Sequence, residues 1–249
     1  MTFRIATLNM EQDHKRWDDR RSLIISEMGR LKPDIFCMNE VCIPRQTGRW
    51  LQQVGGEAAG HRYSLVQLSR PAEKFLADGE GILTRFPIIE TANLDYRIHD
   101  GVAQVARLDV DGRQVDVYVT HLYRSIGEDS ERIIQVQRLL EWVSSRNDAD
   151  VSIVCGDFNA TLDMPSAKLM RSVFVPSQTD VTAFTPLEGV EGDVSHPDWR
   201  RFDRCIDFIW VAGQAKVVES GVCFAEAAPD DPTLYPSDHA GVWADLDFV

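Results

Sequence analysis

Asn9, Glu40, His121, Asp157, Asn159, Asp207, Asp238 and His239 all stand at points where runs of apolar residues stop. Side chains at the ends of apolar strands can project from a rigid scaffold into a cleft. The types gathered there are carboxylates, side-chain amides and imidazoles, which suit the holding of a hard cation and the movement of a proton. Magnesium takes oxygen ligands and keeps several of its waters, so one or two carboxylates suffice to hold it. Glu40 suits that role, with Asn9 adding an amide oxygen and Asp238 or Asp157 on the far side of the cleft. A carboxylate on one nitrogen of a histidine sets the tautomer and favours the charged ring. Each residue taken singly also has a plainer reading. Asn9 suits a turn, Glu40 a solvated strand end, His121 a satisfied core histidine, and Asp157 and Ser237-Asp238 helix caps.

The elements that must position these residues follow from periodicity. Phe3 to Leu8 mixes β-branched and aromatic types without helical spacing and predicts a short buried strand. Trp17, Ile24, Met28 and Leu31 mark one face of an amphipathic helix that Pro33 ends. A strand is predicted over Ile35 to Met38, then a helix around Arg49 to Val54 that stops at Gly55-Gly56. Further strands are predicted at Tyr63 to Leu68, Gly81 to Thr84, Ile88 to Leu94, Val102 to Val110 and Gln114 to Thr120, with Asp111-Gly112 turning the last two into a hairpin. A second amphipathic helix runs from Ser130 to Ser145, and a buried strand from Val151 to Cys155. Phe174 to Arg204 is polar, rich in Pro, Asp and Gly, and reads as a functional loop bordering the cleft, with Trp199, Arg200 and Arg201 as its substrate contacts. Strands return at Ile206 to Val211, Val217 to Phe224 and Ala240 to Leu246. No repeat or linker divides the chain, so residues 1–249 read as one α/β domain of packed sheets covered by helices.

Composition narrows the function. The net charge of -13 and sequence pI near 4.9 weigh against long polyanions, because nonspecific nucleic-acid affinity comes largely from Lys and Arg. Nucleic acid is therefore an allowed but disfavoured partner. Cys37, Cys42, Cys155, Cys205 and Cys223 have neither a CxxC nor a zinc-ligand spacing, and four lie in apolar strands, which reads as free thiols in a reducing compartment. No apolar stretch is long enough to cross a membrane, and MTFRIATLNM lacks the apolar centre of a secretory signal, so the reading is a cytoplasmic protein.

Taken in order, the segments ATLNM, PDIFCMNEV, EGILTRFPI, VDVYVTHL, VCGDFNA, RCIDFIWV and PSDHAGVWADL resemble the endonuclease/exonuclease/phosphatase superfamily, with its deoxyribonuclease I-like fold. GDFNA and SDH are the most specific, and Arg132 and Gln135 add the family's R-x-x-Q spacing. The resemblance implies a four-layer α/β sandwich, two packed and mostly antiparallel sheets flanked by helices, and a magnesium-dependent phosphoesterase in which manganese can substitute. By the same resemblance Asp157 orients or deprotonates the attacking water, and Asn159 supports the phosphate or that water. His239 binds the phosphate with Asp207 fixing its ring. His121 is the second active-site histidine of the deoxyribonuclease I and sphingomyelinase branches, and Glu80 is its orienting carboxylate.

One departure stands beside the metal candidate: Asn39 precedes Glu40 where the family usually has Gln. It reads as tolerable, since the glutamate carries the metal. The leading expectation is a phosphodiesterase acting on a small or lipid-like diester. A nuclease, a phosphomonoesterase and an inactive binding protein of the same fold are its rivals. The last should have lost Glu40, Asp157 or His239, and all three are present.

Overall fold

The computed structural model describes residues 1–11, 15–69, 78–124, 128–178 and 205–249. They form two six-stranded sheets. The first has the order β11 (Ala215–Cys223), β12 (Gly241–Phe248), β1 (Thr2–Asn9), β2 (Ile35–Asn39), β4 (Gly79–Thr84), β3 (Ser64–Ser69). The second has the order β5 (Ile88–Asp95), β6 (Val102–Val110), β7 (Arg113–Thr120), β8 (Val151–Asp157), β10 (Asp207–Gly213), β9 (Val175–Pro176). Each sheet contains one parallel pair, β1 with β2 and β7 with β8; the other pairings are antiparallel. A parallel pair needs a crossover. Helix α1 (Trp17–Leu31) supplies one, and helix α4 (Ser130–Ser145) the other.

Alternation along the strands sorts side chains into layers, because successive residues face opposite sides of a sheet. Phe3 and Ile5 of β1, Ile35 and Cys37 of β2, Val117 and Val119 of β7, Ile153 and Cys155 of β8 and Ile209 of β10 form the core between the sheets. The intervening Ala6, Leu8, Phe36 and Met38 pack outward against Ile24, Met28 and Leu31 of α1. Tyr118, Val154, Phe208 and Trp210 pack on the other outer side against Val136, Leu139 and Val143 of α4. The result is the helix, sheet, sheet, helix layering implied by the resemblance.

The inward series turns polar at one end. Two residues beyond Cys37 comes Asn39, beyond Val119 comes His121, beyond Cys155 comes Asp157, and two residues before Ile209 comes Asp207. In β1 the same parity leads through Thr7 to Asn9. The carboxyl ends of both parallel pairs therefore meet at one rim of the inter-sheet core, where open α/β sheets place their ligands.

Three local expectations are corrected. The helix expected to stop at Gly55-Gly56 runs from α2 (Thr47–Trp50) through a π-helical turn, Leu51–Gly55, into α3 (Gly56–Ala59). A Cβ at Gly55 would lie 2.6 Å from Met28 Sδ, so this glycine admits a close approach to α1; the run ends instead at Gly60, with φ +73°. A short helix absent from the sequence reading, α5 (Pro165–Met170), opens on a proline at its first position. Within the stretch read as loop from Phe174 to Arg204, Val175–Pro176 pair with β10 as β9, and residues 179–204 lie outside the described residues. The five cysteines are unbonded, with Cys42 alone half-buried and the others buried.

Gly156 carries the tightest backbone demand near the rim. Its φ is +131°, and a Cβ there would lie 2.0 Å from the carbonyl oxygen of Thr120. Gly156→Ala should therefore cost at least about 2 kcal/mol of stability, from a disfavoured backbone region and a displaced neighbouring strand. Urea unfolding checks this, and a loss below about 0.5 kcal/mol, the range of an ordinary surface substitution, would contradict it.

Candidate active site

The rim residues gather around the Asp157 carboxylate, which is 2% exposed. Its Oδ2 lies 3.3 Å from Asn9 Nδ2, 3.4 Å from His121 Nε2 and 3.8 Å from His239 Nε2. Its Oδ1 accepts from the backbone N–H of Asn159 at 2.8 Å. Asn9 Nδ2 also donates to Glu40 Oε1 at 3.1 Å, and His121 Nδ1 lies 3.6 Å from that same oxygen. Asn9 and His121 thus link the Glu40 side of the cleft to the Asp157 side.

On the next strand, Asp207 sits directly across from Asp157 in the β8 to β10 ladder. Like charges placed opposite each other repel. The His239 ring intervenes, with Nδ1 2.8 Å from Asp207 Oδ2. Burial lowers the His239 pKa, but the charge and hydrogen bond of Asp207, with the charges of Asp157 and Asp238, outweigh it and raise the pKa well above the usual histidine value. Burial, then repulsion from Asp207, pushes Asp157 up to about 7. One ligand atom from each of Asp157, Asp207 and His239 lies within 4.8 Å of the others, the spacing of a cation site. Histidine ligates a metal only when neutral. With the ring protonated, the imidazolium itself fills the position of a cation between the two carboxylates.

Other residues hold these in place. Asn159 Nδ2 contacts His121 Nε2 and donates to Leu122 O, both at 3.0 Å. Arg132 and Gln135, both buried, clamp the segment after His121: Gln135 Oε1 accepts from Tyr123 N–H at 2.8 Å and Arg132 Nη1 donates to Tyr123 O at 3.2 Å. Asp238 is half-buried beside Ser237, whose hydroxyl donates to the Asn9 carbonyl. Glu80 is fully buried and accepts from Asn39 Nδ2. Glu40 has a left-handed backbone, φ 57°, where β2 turns into the cleft.

Asn9 is oriented differently from its expected use as an oxygen donor to the cation. Its Oδ1 accepts from Glu11 N–H at 3.0 Å, leaving the amide nitrogen facing Glu40 and Asp157. That orientation follows from charge, since an amide oxygen turned toward two carboxylates would be repelled. Trp199, Arg200 and Arg201 lie outside the described residues. The sequence reading passed over Arg20, whose guanidinium is wholly buried and donates to Met10 O, Lys15 O, Pro236 O and Glu11 Oε2. It ties the exit of β1 to the loop carrying Asp238 and His239. Its signal was present: an arginine between Trp17 and Ile24 on the apolar face of a helix. Asn39, noted only as a departure, proves to be a buried hub.

Residues 6–239 match the model of the Endonuclease/Exonuclease/phosphatase family. The chain belongs to that family. Its members are divalent-metal-dependent phosphoester hydrolases. Human Nocturnin is 26% identical over 264 residues, covering 94% of this chain and 59% of Nocturnin, so the chain spans well under two thirds of that relative's length. Among solved structures, the human Nocturnin catalytic domain with bound sulfate anion superposes with TM-score 0.75 at 23% identity, covering 100% of this chain and 94% of that one. D. rerio TDP2 complexed with single strand DNA product superposes with TM-score 0.78 at 15% identity, covering 99% of both chains. Among the described residues no helix is long and apolar enough to cross a membrane.

The raised pKa of Asp157 has a thermodynamic signature in this family member when metal is absent. The folded protein holds this proton to about pH 7, whereas an unfolded aspartate releases it near 3.9. Between those values the native state binds more protons, so this contribution to stability is present at low pH and is lost as pH rises toward 7. In chelator, the wild type should lose more stability between pH 4.5 and pH 7.5 (roughly the window set by those two values) than Asp157→Asn does. Equal losses in urea titrations would show that Asp157 ionises normally.

Proposed function

We propose that this protein hydrolyses a phosphodiester of a small or lipid-like molecule by attack of water at phosphorus. The observation that carries the reading is the convergence of His121 Nε2, His239 Nε2 and Asn9 Nδ2 on one oxygen of Asp157, with Glu40 joined to the same cluster through Asn9. Phosphoester hydrolysis asks for a base near the attacking water, donors for the nonbridging oxygens and neutralisation of charge at phosphorus.

The donor set fits a hard cation. Glu40 is a partly exposed carboxylate on a rigid strand end and leaves most of a magnesium shell to water and substrate. Glu40 would hold magnesium, or manganese in its place, with Asp238 as a further carboxylate. When bound, that cation supplies Lewis-acid charge at the phosphoryl oxygens. Asn9, turned as it is, keeps the Glu40 and Asp157 carboxylates at a fixed separation.

Asp157 receives the proton of the attacking water, a role suited to a carboxylate whose pKa is pushed up to about 7. His239 stays positively charged because Asp207 and its neighbours raise its pKa, and so donates to a nonbridging oxygen. His121, whose Nε2 faces the Asn159 amide N–H, turns Nδ1 toward Glu40 and is placed to exchange a proton from that nitrogen on the opposite side of the site. Glu80 reaches the His121 side through Asn39, whose amide nitrogen donates both to Glu80 and to the carbonyl of Thr120 next to His121. The small substrate is favoured by acidity, with a net charge of -13, against the electrostatic needs of a long polyanion. A panel of bis-p-nitrophenyl phosphate, p-nitrophenyl phosphate, plasmid DNA, RNA and sphingomyelin tests the reading. Preference for the aryl diester and sphingomyelin supports it, and preference for DNA or RNA replaces it with a nuclease.

Turnover should stop in excess EDTA and return with magnesium or manganese; full activity in chelator would end the assignment. His239→Ala should lower kcat at least about a hundredfold, since acid-base and charge stabilisation are typically worth about 10² to 10⁴. Asp207→Asn should lose less and stay folded by circular dichroism. A His239→Ala variant within about fivefold of wild type, too small for such a role, would remove the histidine from the mechanism.

A further inference from the structure

We propose that Asn39 is a positioning residue for catalysis: its carboxamide fixes the main chain of Asp157 against the strand leading to His121, and so sets the attacking side of the site relative to Glu40. This rests on the phosphoesterase reading above. Asn39 ends β2 with no exposed surface. Its Oδ1 accepts from the N–H of Asp157 at 2.9 Å, and its Nδ2 donates to Thr120 O at 2.9 Å and to Glu80. Glu80 belongs to the same sheet as Asn39, while Thr120 and Asp157 belong to the facing one. One side chain therefore stitches the two sheets together where both open into the cleft.

Each group it holds adjoins a residue of the site. Thr120 precedes His121, and Asn39 itself precedes Glu40. The Asn39 carbonyl also accepts from Met10 N–H at 2.9 Å, which holds the segment following Asn9. The chain is pared back where the amide passes: a Cβ on Gly156 would come within 2.9 Å of Asn39 Oδ1.

Stability alone is a poor reason for this arrangement. One step deeper on the same two strands the inward residues are Cys37 and Cys155, part of the apolar core. A further apolar pair at this level would need no desolvation of an amide, and a buried hydrogen bond contributes little net stability. What three directed bonds provide is orientation, which an apolar contact lacks. Orientation matters here because a misplacement of about 1 Å in a catalytic group can cost about 10² in rate.

The test compares wild type with Asn39→Ala and Asn39→Ser by urea unfolding, by amide hydrogen exchange and by kinetics on bis-p-nitrophenyl phosphate with magnesium. In Asn39→Ala the Asp157 amide should exchange at least about tenfold faster while that of Ile153 is unchanged, since only the local partner is removed. Its kcat should fall about 10- to 100-fold with KM within about threefold, the pattern of misplaced groups rather than lost binding. Asn39→Ser, which keeps a hydroxyl among the buried polar groups on a stem too short to make all three bonds, should lose less on both readouts, and it carries the test if the alanine variant does not unfold cooperatively. A folded variant that keeps kcat within about twofold overturns the role of Asn39, even if the Asp157 amide exchanges faster. So does failure of both variants to fold, which would make the amide a determinant of the fold. A wild type that turns over no phosphoester overturns the functional reading instead, and shows itself before any variant is compared.

Discussion

A carboxylate enclosed between two β-sheets must be protonated or matched by positive charge, and most of this site is arranged around that constraint at Asp157. Burial and the facing Asp207 both work against its ionisation. His239, the N–H of Asn159 and the amide of Asn9 work in favour of its charged form. The balance leaves a carboxyl whose affinity for protons lies near neutrality, where a general base is most useful. His239 takes the complementary part, a ring held positive between two acids.

That constraint can be met because the scaffold delivers polar groups from both sheets to one place. Each sheet contributes a parallel pair joined by a helix on its outer face, and the carboxyl ends of the two pairs meet at one rim. Inward-facing positions are apolar through Ile5, Cys37, Val119 and Cys155, then become Asn9, Asn39, His121 and Asp157. The same alternation that builds the core therefore aims the site. Arg20 and Asn39 join segments that are far apart in sequence, the first tying the β1 exit to the loop of His239 and the second tying sheet to sheet.

Much of this was legible in the residues. Alternation located most of the strands, the seven-four-three spacing of Trp17, Ile24, Met28 and Leu31 located α1, and the ordered segments from ATLNM to PSDHAGVWADL named the family. What escaped were features decided by contacts between distant segments. Gly55-Gly56 reads locally as a stop, yet it is a place where two helices approach closely. The amide of Asn9 reads as an oxygen donor, yet the carboxylates of Glu40 and Asp157 turn its nitrogen toward them. Asn39 reads as a mild substitution next to a metal ligand, and only the neighbouring and facing strands reveal three partners for it. A sequence shows which groups are present at strand ends, but the direction of an amide depends on what lies across the cleft.

In the proposed reaction, water directed from the Asp157 side of the cleft attacks phosphorus. Turnover of bis-p-nitrophenyl phosphate in water enriched in oxygen-18, read by the isotope shift in the phosphorus-31 spectrum, tests it directly. One labelled oxygen is expected in the p-nitrophenyl phosphate product and none in the released nitrophenol. Label in the nitrophenol, with the phosphate unlabelled, would mean cleavage of the carbon–oxygen bond and would contradict it.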